Sequence, residues 1–302
     1  MRGNDGGRVA VAAALPIDVS APLFGWTDAQ AGKVVRGQDL LIHCAATTRF
    51  DLTAAEYDAV NVDGVAHAVA LARIGGLKLL HISTAYVCGP RDGVILEDDP
   101  VPGTGFANGY EASKAQGEAL VAASGLVWSI ARPSIVLGDG ATGAIRSFDT
   151  IYAAFKLIAT GRVRHVPARA NATLDFVPID HVAGGIVALA SNMDRAAGGR
   201  YHLTSGAPIP VAEFAAAIGA YPQFHAPALV DPARFDPSAL TAIERRLHGR
   251  VAGVYGAYFQ RDPRFDDKRL REVTRLAHPL AGPAYLARLI GHCIAIGFLP
   301  AS

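Results

Sequence analysis

Three runs of continuous apolar residues, separated by segments with helical patterning, most constrain the fold of this 302-residue chain. The runs cover residues 39–46, 77–85 and 126–132, and residues 54–74 and 110–123 carry the helical pattern. Strands that are apolar throughout are typical of parallel sheets with helices on both faces. The sequence therefore predicts an α/β, Rossmann-like fold built on a parallel sheet.

The flanking segments predict one earlier strand and a second, more helical part. Residues 8–15 form a short apolar run that ends in a turn, and residues 27–35 are predicted to be a short helix. Later elements are predicted as helices at 151–159 and from Pro178 to Ala190, strands at 173–177 and 200–203, and mostly helix from residue 210 onward. We expect residues 1–140 to form a nucleotide-binding core and residues 141–302 a substrate-binding cap with core-completing strands.

Composition argues against several classes of function. A net charge of +1 argues against nucleic acid as a partner. The three cysteines, Cys44, Cys88 and Cys293, have no metal-ligand spacing, so no metal site is predicted, and they indicate a reducing, cytoplasmic environment. Cys44 and Cys88 lie beside apolar strands and are expected to be buried.

The most apolar late segment, residues 286–300, is too short and too often interrupted by charged residues to span a bilayer. A buried C-terminal helix is the favoured interpretation, and a peripheral contact with a membrane is left open. Whether the chain forms a homodimer is left open as well.

A hydroxyl and a Tyr–Lys pair frame the second apolar run. Thr84 lies where that strand ends, and Tyr110 and Lys114 lie one helical turn apart at the start of the next helix. A nearby ammonium group favours the phenolate, so we expect a lowered pKa for Tyr110 and a tyrosine able to exchange protons near neutral pH. The pattern predicts a carbonyl-reduction site with Thr84, Tyr110 and Lys114 as catalytic residues, provided that a cofactor delivers hydride.

Several segments resemble one family. The sequences AATTRFD at residues 45–51, HISTAYVCG at 81–89 and YEASK at 110–114 are similar to fatty acyl-CoA reductases of the extended short-chain dehydrogenase/reductase superfamily, which include male-sterility-like and thioester-reductase-like proteins. The resemblance extends over residues 8–267. It implies NADP(H) as cofactor, with NAD(H) left open, and an acyl-CoA or an acyl-carrier protein as partner.

The resemblance also implies a set of cofactor-binding residues. These are Asp18, Ala45, Ala46, Asn61, Tyr110, Lys114, Pro133 and Ile135. In this scheme Ala45 and Ala46 let the adenosine side of the cofactor pass close to a strand end, and Pro133 and Ile135 contact the nicotinamide. Asn61 either braces neighbouring backbone or lies at the surface. Simple packing and strand termination are the alternatives for the small residues and the proline.

One departure from the family pattern concerns the first strand. The family opens with a strand and a GxxGxxG turn, whose glycines let the backbone approach a pyrophosphate. No such turn follows residues 8–15. The resemblance places that run at the third strand of the nucleotide half, with Asp18 holding the adenine, so we expect the first two strands to be missing. Two alternatives would also explain the absent turn: the chain has lost its cofactor site, or residues 8–15 themselves form the first strand.

Other polar residues have simpler interpretations. His43 and His81 lie within apolar strands and are predicted to be core histidines. The acidic run at residues 97–99 is predicted to be a solvated face. Arg49 is placed to meet either a CoA phosphate or the carboxylate of Asp51, and the sequence does not separate the two.

Three functions follow from these patterns. The first is NADPH-dependent reduction of a fatty acyl thioester to an aldehyde or an alcohol. The second is action on a secondary alcohol or ketone of the steroid or sugar type. The third is a catalytically silent binding protein that has lost its dinucleotide site. No HExxH or GxSxG pattern supports hydrolysis.

Overall fold

The computed structural model describes residues 14–148 and 151–301, apart from the side chains of residues 250–254. The strands are β1 (Leu40–His43), β2 (Lys78–Ile82), β3 (Gly93–Ile95), β4 (Trp128–Pro133), β5 (Ile135–Leu137), β6 (His165–Pro167), β7 (Thr173–Leu174), β8 (Phe176–Pro178), β9 (Arg200–Leu203), β10 (Ile209–Pro210), β11 (Ala228–Val230) and β12 (Pro263–Phe265). The helices are α1 (Asp28–Val34), α2 (Ala54–Tyr57), α3 (Asp63–Gly75), α4 (Gly109–Ala122), α5 (Ile151–Ala159), α6 (Ile179–Ser191), α7 (Met193–Ala196), α8 (Val211–Gly219), α9 (Ala242–Tyr255), α10 (Lys268–Thr274) and α11 (Pro283–Ala295).

A four-stranded parallel sheet in the order β1-β2-β4-β9 is the centre of the fold. Smaller two-stranded pairs lie beyond it: β3 with β12, β5 with β8 and β6 with β11 are parallel, and β7 with β10 is antiparallel. The predicted parallel sheet is confirmed. The strand predicted at residues 8–15 falls, up to residue 13, outside the described residues.

Helices cover both faces of this sheet because neighbouring residues of β2 are apolar on both sides. Leu79 packs with Val65 of α3 and Val121 of α4. Leu80 packs on the opposite face with Val182 of α6. Both leucines are fully buried, as expected for a strand whose two faces are covered.

The helix predicted over residues 54–74 is interrupted by a π-helical turn at Asp58–Val62. A π turn inserts one residue into the helical register and shifts the side chains that face the core. Asn61 lies in this turn and is only 1% exposed. The sequence pattern did not reveal the interruption, because the apolar spacing on either side of it is compatible with one helix.

A second core lies among the C-terminal elements. It contains Tyr152, Phe176 and Phe214 and the buried face of α11, including Tyr285 and Leu289. The predicted buried C-terminal helix is confirmed. The strands β11 and β12 were not expected, because each is three residues long and carries little pattern of its own.

Two expectations about burial are wrong. Cys44 is exposed, since it follows the last residue of β1 at the edge of the sheet, whereas Cys88 and Cys293 are buried. Glu97, predicted to be solvated, is only 1% exposed. Its carboxylate accepts hydrogen bonds from the backbone N–H groups of Arg269 and Leu270, at the start of α10, and from that of His202. Burial nevertheless raises the pKa of Glu97 to about 7.

Two kinds of site are absent from the described part of the chain. None of its helices is both long enough and apolar enough to cross a membrane. None of its His, Cys, Asp and Glu side chains group as a metal ion would require.

Candidate active site

Thr84 lies just beyond the C-terminal end of β2, where ligands bind in open α/β sheets. Its hydroxyl accepts a hydrogen bond from the backbone N–H of Tyr86 at 3.3 Å and donates one to the carbonyl oxygen of Pro133 at 3.3 Å. These contacts tie the hydroxyl to two neighbouring strand ends. Thr84 is therefore held in place before any substrate binds.

Tyr110 is the second residue of α4. Asn108 caps this helix by accepting the backbone N–H of Glu111 at 2.9 Å, which fixes the first turn. The hydroxyl of Thr84 lies close to that of Tyr110. Burial raises the pKa of Tyr110 to about 12, although the neighbouring Thr84 hydroxyl opposes the rise.

The expected lowering of the Tyr110 pKa by Lys114 is therefore wrong. Desolvation of the phenol outweighs any effect of the lysine, and the phenol stays protonated at neutral pH. A protonated phenol is the form that donates a proton. This suits a site that protonates a substrate oxygen rather than one that removes a proton.

Lys114 lies one turn further along α4 and is 3% exposed. Its ammonium group donates to the carbonyl oxygen of Ile82 at 2.6 Å. Burial lowers its pKa to about 8, while the carboxylate of Glu118 opposes the shift. Lys114 does not line the cavity described next; it lies at the end of β2, behind the Thr84–Tyr110 pair.

A cavity of about 410 Å³ opens at these hydroxyls. Its walls are mainly apolar and aromatic. The lining residues are Thr48, Phe50, Thr84, Tyr86, Tyr110, Ser134, Ile135, Val136, Ile145, Arg146, Ser147, Ile151, Tyr152, Ile179, Tyr255 and Tyr258. They come from the strand ends of the sheet and from the C-terminal part of the chain. A volume in this range is typical of small-molecule sites.

Phe50 is the centre of one wall of the cavity. Its ring centroid lies 5.3 Å from that of Tyr110, 5.8 Å from that of Tyr255 and 6.0 Å from that of Tyr258. Aromatic pairs at these spacings and tilted angles stabilise each other beyond simple burial. The wall therefore connects the phenol of Tyr110 to the C-terminal part of the chain.

A buried hydrogen bond between Ser134 and Asp175 beside the cavity was not identified from the sequence. Ser134 lines the cavity and donates a hydrogen bond of 2.5 Å to Asp175, which also accepts the backbone N–H of Ser205. Burial raises the pKa of Asp175. An acidic residue between the two apolar strands β7 and β8 was the only signal that could have indicated it.

The residues expected to meet a cofactor lie in several places. Ile135 lines the cavity, and Pro133 is buried beside it. Ala45 and Ala46 follow β1 and are half-buried. Asp18 is exposed and accepts hydrogen bonds from the backbone N–H and the hydroxyl of Ser20, away from the cavity.

Asn61 braces the loop after β1. Its side chain accepts the N–H of Thr47 at 2.8 Å, donates to the carbonyl oxygen of Thr47 at 3.1 Å, and donates to the hydroxyl of Ser113 at 3.0 Å. The backbone-bracing interpretation is therefore the correct one. It also links that loop to α4, between Tyr110 and Lys114.

Contacts also define the surroundings of three other polar residues. Arg49 forms a bidentate ion pair with the carboxylate of Asp51 at 3.0 Å. His43 and His81 are buried core residues, as predicted, with their Nδ1 atoms 3.1 Å apart. Burial lowers the pKa of both imidazoles, so both are neutral at pH 7.

The described residues fit one half of a nicotinamide dinucleotide. An ammonium group has three N–H donors, and among the described residues Lys114 uses one of them, on Ile82, which leaves donors for a ribose. Thr84 and Tyr110 line the cavity, and the two half-buried alanines follow the end of β1. For the pyrophosphate, the described part of the chain has no glycine-rich turn after a strand that precedes β1.

Comparison with known proteins identifies the family. A family model for NAD-binding proteins, described as male sterility protein, matches residues 11–186, which is more than half of the chain. The chain belongs to this family. The resemblance to extended short-chain dehydrogenases/reductases is therefore confirmed, and the matched family is one of NAD-binding proteins.

Two curated relatives of the male sterility family are named as reductases. Aldehyde reductase lnaA of Aspergillus flavus is 26% identical over 184 residues, covering 57% of this chain and 18% of that protein. Fatty acyl-CoA reductase 1 of Arabidopsis thaliana is 25% identical over 257 residues, covering 65% of this chain and 52% of that protein. The chain thus spans about half the plant protein and less than a fifth of the fungal one.

A solved structure shows the same fold. The terminal R domain from the myxalamid PKS-NRPS biosynthetic pathway superposes with a TM-score of 0.81 at 23% identity, covering 94% of this chain and 75% of that chain. The predicted α/β, Rossmann-like architecture is confirmed.

Proposed function

We propose that this protein reduces a fatty acyl thioester with NADPH, giving an aldehyde and the released thiol, or the alcohol after a second hydride transfer. The observation that carries the proposal is the neighbouring pair of hydroxyls, Thr84 and Tyr110, on the wall of an apolar cavity of about 410 Å³. Two hydroxyls side by side can hold one carbonyl oxygen and stabilise the negative charge that develops on it.

Each of the three residues has a distinct task. Tyr110 is protonated at neutral pH, so it donates a proton to the oxygen as negative charge builds up. Thr84 holds the same oxygen when its single O–H turns from the carbonyl oxygen of Pro133 to the substrate. Lys114 holds the ribose of the cofactor and places a positive charge behind the two hydroxyls. The apolar walls exclude water and accept an acyl chain.

A bound nicotinamide cofactor supplies the hydride for this chemistry. In the proposal, Ala45, Ala46, Asn61, Pro133 and Ile135 form the part of its site that the described residues provide. Asp18 meets the adenine end. We assign the cofactor contacts mainly to residues 1–140 and the substrate contacts mainly to residues 141–302.

Two lines of support favour a thioester over a ketone. One of the relatives is named fatty acyl-CoA reductase, and the other aldehyde reductase. The cavity wall is rich in aromatic and aliphatic side chains, which suits an acyl chain better than a sugar. The acyl group would arrive on CoA or on an acyl-carrier protein.

The test has two steps. Titration with NADPH, followed by nicotinamide fluorescence, should show saturable binding. Turnover of palmitoyl-CoA is then compared with that of a panel of sterol and sugar ketones. Faster turnover of the thioester supports the proposal, whereas faster turnover of a ketone assigns the second activity. No binding at millimolar NADPH would overturn both and leave a silent binding protein.

Tyr110→Phe is the matched variant, since it removes one hydroxyl and keeps the ring that packs against Phe50. Activity should fall by roughly 10²- to 10⁴-fold while the circular dichroism spectrum and thermal midpoint stay close to those of the parent. Retained turnover would refute the assigned proton donor.

A further inference from the structure

A second feature of α4 lies directly beside the proposed proton donor. Glu111 follows Tyr110 in the chain and is fully buried, and Arg261 is 3% exposed. The guanidinium group donates to the two carboxylate oxygens of Glu111 at 2.5 and 3.4 Å. The pair joins the first turn of α4 to a residue 150 positions later in the chain.

Arg261 also packs on a pair of aromatic rings that contact each other. Its guanidinium carbon lies 4.6 Å from the ring centre of Tyr86 and 4.6 Å from that of Tyr258. One of its N–H groups donates to the carbonyl oxygen of Gly89 at 3.1 Å. A planar guanidinium can stack and bond in its own plane at the same time, which a lysine ammonium cannot.

The two rings that hold Arg261 are themselves cavity walls. Tyr86 lies two residues after Thr84, and Tyr258 contacts Phe50, whose ring packs against Tyr110. Arg261 therefore touches the side chains that surround both reacting hydroxyls, without lining the cavity itself. Its ion-pair partner, Glu111, is the chain neighbour of Tyr110.

Burying this ion pair costs free energy, so a gain in stability is a poor explanation for its presence. Taking two charges out of water requires a large desolvation penalty, and well-packed apolar residues often serve equally well. A geometric role is a better explanation, because the fork of the arginine sets direction as well as distance.

We propose that Arg261 and Glu111 are positioning residues that set the orientation of Tyr110 relative to Thr84 and the Tyr258 wall. The inference rests on the proposed function, for which Tyr110 is the proton donor. Loss of the arginine fork frees the first turn of α4 and the segment that carries Tyr258 to shift independently. A displacement of about 1 Å at a reacting group is enough to lower the rate by roughly 100-fold.

The first experiment compares Arg261→Lys with Leu189→Ala. Leu189 is fully buried in α6 and does not line the cavity, so its truncation should destabilise the fold without removing a cavity side chain. With palmitoyl-CoA and NADPH, we expect Arg261→Lys to lower kcat by about 10- to 100-fold with a smaller rise in KM. Leu189→Ala should keep kcat. Equal kcat in the two variants, at temperatures where both are folded, would overturn the proposal.

The second experiment needs no turnover. Tetranitromethane nitrates accessible phenolates, and peptide mass spectrometry locates the modified tyrosine. Arg261→Lys and Glu111→Gln should both increase nitration of Tyr110, and Leu189→Ala should not. Unchanged Tyr110 nitration in the first two variants would overturn the positioning role even if the parent protein is active. An inactive parent with increased nitration in both would refute the proposed function and support the positioning role.

Discussion

The ammonium group of Lys114 donates a 2.6 Å hydrogen bond to the carbonyl oxygen of Ile82, the last residue of β2. The helix that carries Tyr110 is thereby fastened to the strand that leads to Thr84. Burial lowers the pKa of Lys114 from 10.5 to about 8, so its charge is lost at a pH where the fold should persist. Two predictions follow from this contact.

Activity should decline as the pH rises through about 8, because the ammonium form of Lys114 is the one that binds the ribose. Tyr110, with a pKa near 12, remains protonated over this range and adds no second decline. The measurement is kcat/KM for palmitoyl-CoA between about pH 6 and pH 10. A profile without a change near pH 8 would contradict the assigned role of Lys114.

The contribution of Lys114 to the free energy of unfolding should rise with pH, in contrast to the activity. The pKa of Lys114 is lower in the folded chain, so between about pH 8 and 10.5 the unfolded chain binds more protons, and the stability that Lys114 contributes rises with pH. Relative to Lys114→Met, the parent should gain about 2 kcal/mol in the free energy of unfolding between about pH 7.5 and 9.5. Chemical denaturation at the two pH values measures it. A constant difference would show that the lysine is not desolvated.

Two replacements of Thr84 should distinguish the effect of its hydroxyl on kcat/KM from the effect of its side-chain packing. Thr84→Val removes the hydroxyl that contacts Tyr110 and the acceptor for the N–H of Tyr86. We expect kcat/KM to fall by about 10²- to 10³-fold. Thr84→Ser keeps the hydroxyl and should retain most of the activity. Equal losses in the two variants would point to packing rather than hydrogen bonding.

The main effect of replacing Asn61 should be a lower free energy of unfolding. Asn61→Leu leaves the N–H and carbonyl groups of Thr47 without their partner in a partly buried loop, at a cost of about 2–3 kcal/mol in the free energy of unfolding. Asn61→Asp keeps the acceptor but loses both donors and buries a carboxylate, so it should be at least as destabilising as the leucine variant at neutral pH. Denaturant unfolding followed by circular dichroism gives both values. A leucine variant as stable as the parent would show that water replaces the side chain.

The parallel sheet and the juxtaposition of Thr84 with Tyr110 could be predicted because they follow from short-range patterns. Continuous apolar runs specify strands covered on both faces, and Leu79 and Leu80 are the example. A hydroxyl at a strand end and a tyrosine at a helix start meet because both lie at the same edge of the sheet. Local spacing also placed Lys114 on the helix face next to Tyr110.

The ionisation states could not be predicted from spacing. Tyr110 has a raised pKa because its surroundings desolvate it, and that burial depends on Phe50 and on residues from the far end of the chain. Glu97 lies in an acidic, loop-like run, yet α10 covers it. Charge patterns indicate which groups ionise in water and carry no information about which of them will be buried.

The amino-acid sequence by itself determined the sheet, the helices that cover it and the family, because apolar periodicity and local motifs act over a few residues. Only the tertiary structure decided the cavity, the protonation of Tyr110 and the pairing of Glu111 with Arg261. Those features need residues 150 positions apart to meet in a water-excluding interior. Desolvation and ion-pair geometry exist only once the chain has closed around them.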